Sequence, residues 1–308
     1  MPHTATSDRL RRRLHRRGYE IFRTREAYPE ERTLHHHDFY EVNLVWSGSM
    51  HYHIESRSYH LTNGDILLIS PNELHQPDPE TDLTGCERVV LWIDKAFLQQ
   101  FRSFGFEPAA CFDTTDPRHG SCLRFDNEST LRIGELLERC LRENESGDFG
   151  AEMMADTIMI QVMILINRLR SSTAQGEHRD RSQTLVTSVL DYINSHYAEE
   201  LTLDNLANRF FISKYHLSRE FGRIVGTSVH RYLIQKRLVV AKQLLSEGRP
   251  SSAVYQHCGF GDYSNFYRAF KTEYGISPKE YVVNLREDAA RNAERNRERS
   301  WLIREESI

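Results

Sequence analysis

Cysteine is scarce in this chain: five residues in 308, Cys86, Cys111, Cys122, Cys140 and Cys258, with no CxxC pair among them. An odd number without paired spacing argues against a disulfide framework. It suits a reducing compartment in which these side chains serve as small buried apolar groups. Also missing is any apolar run near the roughly 20 residues needed to span a bilayer. The first residues carry arginines with no apolar stretch behind them, so neither a span nor a leader is expected and the location expected is cytoplasmic. A large excess of one charge is absent as well, the net being -4. That total is unevenly made up. Residues 1–183 hold 22 basic and 29 acidic side chains, residues 184–283 hold 12 and 9, and residues 284–308 hold 6 and 6. The middle segment is thus mildly basic behind an acidic N-terminal part, a weak but correctly signed hint of nucleic acid binding.

What the sequence does have is a unit written twice. Ser213, Leu217, Arg219, Phe221, Gly226 and Ser228 recur 49 residues later as Asp262, Phe266, Arg268, Phe270, Gly275 and Ser277, and Tyr232 recurs as Tyr281. Each copy has the grammar of a helix: an N-cap type at the start, apolar residues at i,i+4, and a glycine at the C-terminal cap. With Leu217 facing inward, Tyr215, Ser218 and Arg219 project outward; Ser264, Arg268 and Lys271 do so in the second copy. A shorter helical stretch precedes each copy, Thr202–Phe210 and Ser252–Phe260, so two helix-turn-helix units are predicted. Val229–Ser246 reads as the helix between them. At about 1.5 Å per residue it is roughly 25 Å long, enough to hold two recognition helices in neighbouring major-groove segments.

The stretch Gly259-Phe260-Gly261-Asp262-Tyr263-Ser264-Asn265-Phe266-Tyr267-Arg268-Ala269-Phe270-Lys271, closed by Gly275-Ile276-Ser277-Pro278-Lys279-Glu280-Tyr281, resembles the signature of the AraC/XylS family of bacterial transcription regulators. The likeness covers about a hundred residues. It departs at Ser251, where the family has an apolar residue, and at Tyr255, where it has alanine; looser packing of the helix that carries them is expected. The resemblance implies that Tyr215, Ser218 and Arg219 of the first unit and Tyr263, Ser264 and Arg268 of the second face double-stranded DNA, with Asn265 beside them.

Upstream, Tyr40–Trp46, Met50–Ser56, Ile66–Ser70 and Arg88–Ile93 are short β-type runs, separated by turn signals at Ser47-Gly48 and Asn63-Gly64. They predict a small antiparallel barrel or jelly roll. His35-His36-His37-Asp38-Phe39-Tyr40-Glu41, Gly48, Gly64-Asp65 and Pro71-Asn72-Glu73-Leu74-His75 resemble the two motifs of a cupin, the sensor domain of AraC-type sugar regulators. On a strand His35 and His37 lie on one side. With Glu41 and His75 they can supply three imidazoles and a carboxylate to one divalent metal, or they can hydrogen-bond a sugar directly. Trp46, Tyr52 and Trp92 fit either a sugar-stacking platform or the core.

Leu131–Leu141 is amphipathic, and Ala151–Arg170 is apolar nearly all round, so it needs cover on more than one side. Helices at this position form the dimer interface in related sensors; packing against the barrel is the alternative. The expected organisation is α+β: a basic arm (1–18), a cupin-like sensor and dimerisation domain (19–170), a polar linker (171–183), a double helix-turn-helix domain (184–283) and a charged tail (284–308). The expected function is a sequence-specific, non-enzymatic regulator. It responds to a small carbohydrate or derivative bound by His35, His37, Glu41, His75, Trp46 and Trp92, works as a homodimer, and contacts RNA polymerase if it activates. The competing expectation is a metal-dependent cupin enzyme joined to a DNA-binding domain, although no nucleophile or second acid/base pair stands beside the histidines.

Overall fold

The computed structural model describes residues 18–25, 33–78, 80–116, 119–172, 185–287 and 290. The expected arm, most of the linker and most of the tail therefore lie outside the described residues.

Among the described residues the N-terminal part contains eight strands: β1 (Tyr19–Thr24), β2 (Tyr40–Ser47), β3 (Ser49–Ile54), β4 (Arg57–Thr62), β5 (Ile66–Ile69), β6 (His75–Pro77), β7 (Glu87–Ile93) and β8 (Cys122–Leu123). They form two antiparallel sheets, ordered β1-β7-β2-β5-β8 and β4-β3-β6. The predicted β architecture is present, but as two facing sheets whose hydrogen bonding does not close into one barrel. β2 passes into β3 of the other sheet through Gly48, whose φ of +81° is easy for glycine and strained for other residues.

Alternation along the strands gives the larger sheet two different faces. Val42, Leu44, Ile66, Leu68, Val89, Leu91 and Ile93 face the helices; Val45, Leu67 and Ile69 face the smaller sheet, where they meet Met50, Tyr52, Ile54, Tyr59 and Leu61. Because both faces are covered, β5 reads Ile-Leu-Leu-Ile and is buried throughout. At roughly 1.5–3 kcal/mol per fully buried aliphatic side chain, these two layers dominate the stability of the domain.

After a short α1 (Lys95–Gln99) come α2 (Asn127–Glu145), capped by Asp126 accepting from the Ser129 amide, and α3 (Ala151–Ser172). Ile158, Met159, Val162, Met163 and Ile166 of α3 are fully buried with the outer face of the larger sheet. Cover for the apolar helix thus comes in large part from within the chain, while Met153 and Met154 stay exposed.

The C-terminal part is helical: α4 (Leu185–His196), α5 (Leu203–Arg209), α6 (Lys214–Val225), α7 (Val229–Ser246), α8 (Ser251–His257) and α9 (Tyr263–Tyr274), with helical residues again at 278–287. The two copies of the repeat share cap geometry. Ser213 accepts from the His216 amide and Asp262 from the Asn265 amide, and Gly226 and Gly275 close their helices at φ +66° and +72°. By compactness the described residues fall into two units, one holding the strands with α1–α3 and α6, the other holding α5 and α7–α9. In the second, Phe266 and Phe270 are buried with Leu238, Leu245, Val254 and Cys258. Tyr255 packs partly against this cluster, 5.8 Å edge-to-face from Tyr263, so the departure from alanine is accommodated.

Candidate effector pocket and nucleic-acid interface

Between the sheets lies a polar network that hydrophobic patterning alone would not place there. β2 turns Glu41 and Asn43 inward, and β7, paired with it, turns Arg88, Val90 and Trp92 inward, with Glu41 opposite Trp92 and Asn43 opposite Val90. His37, just before β2, reaches the Glu41 carboxylate at 2.8 Å. The same carboxylate accepts from Asn43 Nδ2 at 2.6 Å, and Asn43 Oδ1 accepts from Arg88 Nη1 at 3.2 Å. All four residues are buried, as is His75. Burial alone would raise the Glu41 carboxyl, but the bond and charge of His37, the charge of His75 and the Asn43 bond prevail and hold it well below the usual carboxylate range.

His37, Glu41 and His75 each direct one ligand atom to a common point, the three atoms lying within 4.8 Å of one another. The Nδ1 atoms of His35, His37 and His75 all engage backbone carbonyls, of Thr33 at 2.7 Å, Phe39 at 2.9 Å and Glu73 at 2.7 Å. A carbonyl can only accept, so each Nδ1 carries the proton. Metal-binding histidines are commonly anchored through one nitrogen in this way; the other nitrogen of His37 here faces the Glu41 carboxylate at 2.8 Å, so an ion would have to replace that bond. Two imidazoles and a carboxylate form a set that suits several divalent metals.

The four-residue set read from the sequence therefore narrows to three. His35 instead pairs through its backbone with His75, at 3.1 and 2.9 Å, and its ring stands beside that of His75, centroids 4.1 Å apart. Trp92 is on the pocket side, its ring against Phe22 and Phe39 and its indole Nε1 buried without a hydrogen-bond partner. Trp46 is not. It lies on the opposite face against α2, where a Cβ on Gly134 would come 3.0 Å from its ring, and Arg23 sits 5.1 Å over it. The physical reason is the period of two, since five residues separate Trp46 from Glu41 and an odd separation changes face. Asn43 and Arg88 were missed by the sequence reading. Asn43, two residues from Glu41, was available from that same period, as was Arg88, four residues before Trp92; what the period could not supply is the β2–β7 register that brings Arg88 to Asn43.

The residues expected from the resemblance to face DNA are exposed. Tyr215 is 81% exposed, and Ser218 and Arg219 are open beside it on α6. On α9, Tyr263, Ser264 and Arg268 are exposed, and the Arg268 guanidinium bonds back to Asn265 and the Ser264 carbonyl. Phe211, before α6, is 96% exposed at φ +55°, a position that the sequence reading passed over.

Comparison with known proteins gives two family matches, an AraC-like ligand binding domain over residues 18–163 and a helix-turn-helix domain over 206–283. The HTH-type transcriptional activator RhaS of Escherichia coli O157:H7 is 25% identical over 247 residues, 80% of this chain and 86% of RhaS. Among solved structures, the C-terminal domain of AraT, a response regulator from Geobacillus stearothermophilus, is 28% identical, covering 34% of this chain and 88% of that one at a TM-score of 0.33. ToxT from Vibrio cholerae is 12% identical, covering 86% and 97% at a TM-score of 0.33. With a ligand-binding domain in front and paired helix-turn-helix units behind, the chain belongs to the AraC family of DNA-binding transcription regulators.

Proposed function

We propose that this regulator answers to a small polyhydroxylated effector of the carbohydrate class, held between the sheets by Glu41, Asn43, Arg88, His37 and His75, with Trp92 alongside. The buried polar network carries this reading. Charged and amide groups inside an apolar sandwich are costly to bury; here they are bonded to one another, and a hydroxyl-rich molecule, which both donates and accepts, can exchange into those bonds. The unpartnered Trp92 indole N–H supports the same placement. Occupancy then alters the hold on operator DNA through Tyr215, Ser218, Arg219, Tyr263, Ser264 and Arg268. In an activating mode, as the name of the RhaS relative suggests, the downstream partner is RNA polymerase.

A second reading, favoured by the convergent triplet and the carbonyl-anchored histidines, adds a divalent metal on His37, Glu41 and His75. The metal would serve as a post for effector hydroxyls. A thermal-shift screen of mono- and disaccharides, with and without chelator, tests both readings, because a ligand that binds only the folded state raises its melting temperature. The expected outcome is a sugar-dependent shift that disappears in His37→Ala while operator binding persists. A shift that survives in both His37→Ala and Glu41→Gln would move the effector elsewhere, and a shift insensitive to chelator would remove the metal from the scheme.

A further inference from the structure

β6 serves two sides of the smaller sheet at once. Neighbouring side chains of an extended strand point to opposite faces, and β6 lies at the end of its sheet, paired with β3 so that Ile54 stands opposite His75 and His53 opposite Gln76. His75 faces the interior, where it converges with His37 and Glu41. Gln76 faces out, on the side of His51, His53 and His60. His51 and His60 are exposed on that side, yet Gln76 is 0% exposed, so a local cover sits over it.

That cover includes the end of α6, which falls in the same compact unit as the strands. Gln76 Nε2 donates to the carbonyl of Val225, the last residue of α6, at 2.9 Å. The last four carbonyls of a helix have no partner within it, so the side-chain donor supplies what the helix cannot. Nearby, the Arg223 guanidinium donates to the Glu80 carboxylate at 3.1 Å; both groups are exposed, and the pair adds little beyond orientation. The side-chain oxygen of Gln76 is buried without a hydrogen-bond partner. Docking therefore satisfies only half of the amide, and the unmet half lowers the cost of letting go.

α6 also carries Tyr215, Ser218 and Arg219. His75 and Gln76 are joined by one planar peptide unit, so displacement of the first displaces the second, and a hydrogen bond weakens steeply once its distance and angle are disturbed. We propose that β6 is the relay of this sensor: a ligand seated at His75 shifts the strand and releases Gln76 from the end of α6. The proposal rests on the effector reading above for the ligand's place at His75, whereas its test uses no effector.

Hydrogen exchange of the full chain, read on peptides covering residues 219–226, follows the end of α6. Gln76→Leu removes the donor and should raise exchange there roughly two- to tenfold, the span of one hydrogen bond's net contribution. His75→Gln, which alters only the pocket face of the strand, should raise it within the same range. The double variant should match Gln76→Leu alone, because both changes act through one bond. His60→Gln, on β4 at the other edge of the sheet, should leave α6 as in the parent. Exchange that ignores Gln76→Leu overturns the contact, and exchange that ignores His75→Gln overturns its link to the pocket. Additive effects in the double variant, or an equal rise in His60→Gln, overturn the relay as well. Should circular dichroism show that His75→Gln does not fold, Glu41→Gln disturbs the pocket from β2 and is read against the same outcomes. A sugar screen without response beside coupled exchange would discard the effector class and keep the relay; a sugar response with an indifferent α6 would do the reverse.

Discussion

Gly259 lies in the turn between α8 and α9 with a φ of +79°, and a Cβ added there would stand 2.6 Å from the Ala198 carbonyl oxygen and 2.8 Å from the Ala198 carbonyl carbon. Gly259→Ala therefore meets two separate costs. The left-handed backbone costs an L-residue roughly 1–2 kcal/mol. The contact is against backbone rather than the end of a flexible side chain, so the Ala198 turn must move, at about 1–3 kcal/mol as in other overpacked sites. The sum is about 2–5 kcal/mol. Gly248 provides the control within the same helical unit, since its φ is +86° and nothing lies within 4 Å of an added Cβ. Gly248→Ala should lose only the first part, about 1–2 kcal/mol. Hydrogen exchange of the full chain, read on peptides from α7 to α9, measures the local opening free energy of each variant. Gly259→Ala should open more easily than Gly248→Ala by at least about 1 kcal/mol. Equal losses in the two variants, or a milder effect at Gly259, would refute the argument that close approach to Ala198 is what holds glycine there.

Other consequences can be measured as directly. Asn43→Leu leaves both Glu41 and Arg88 short of a partner inside the sandwich, and the thermal melt should show a loss of about 2–3 kcal/mol; an unchanged melting temperature would mean that the network is not held as described. Burial, reinforced by the positive charges of Arg170 and Arg57, gives His119 a folded-state pKa of about 4 against an ordinary 6.5, so the unfolded chain binds more protons between these values. The stability it contributes is complete above about pH 6.5 and is lost as pH falls through that window; urea midpoints across it should decline less steeply in His119→Gln. Arg219→Ala should weaken operator binding and relax one half-site by about 1–3 kcal/mol of base discrimination, and an unaltered footprint would exclude α6 as a reader. If Met153, Met154 and the remaining outer surface of α3 pair two copies, residues 1–175 alone should sediment as a dimer at tens of micromolar, and a clean monomer would end that proposal.

The helical half was legible because its information is local. Caps at Ser213 and Asp262, apolar spacing at Leu217/Phe221 and Phe266/Phe270, and glycines at 226 and 275 are all read within a few residues of the helix they shape. β2, β3, β5 and β7 were legible for the same reason, each being a short β-type run next to a turn signal or apolar stretch. β1, β4, β6 and β8 were not named: β6 and β8 have only three and two residues, and β1, β6 and β8 take their place from partners distant in the chain. In the pocket, His37, Glu41 and His75 followed from motif and spacing. The Arg88–Asn43 bond required the β2–β7 register, and of the two readings open for Trp46 the structure fits the core one, as strand parity would have indicated.

The alternation along β2 and β7 also bears on how such a sensor diversifies. Glu41, Asn43, Arg88 and Trp92 answer to whatever occupies the interior, while Val42, Leu44, Val89 and Leu91, interleaved with them, answer only to the helices outside. Under the proposed effector reading, exchange of the first set alters the response while the second keeps the helices packed on the sheet. Contacts to the interior and contacts to the helices are thus written on alternate letters of the same two words, and in a library randomised at the inward letters the folded members should be those that keep the Glu41–Asn43–Arg88 bonds or replace all three groups together.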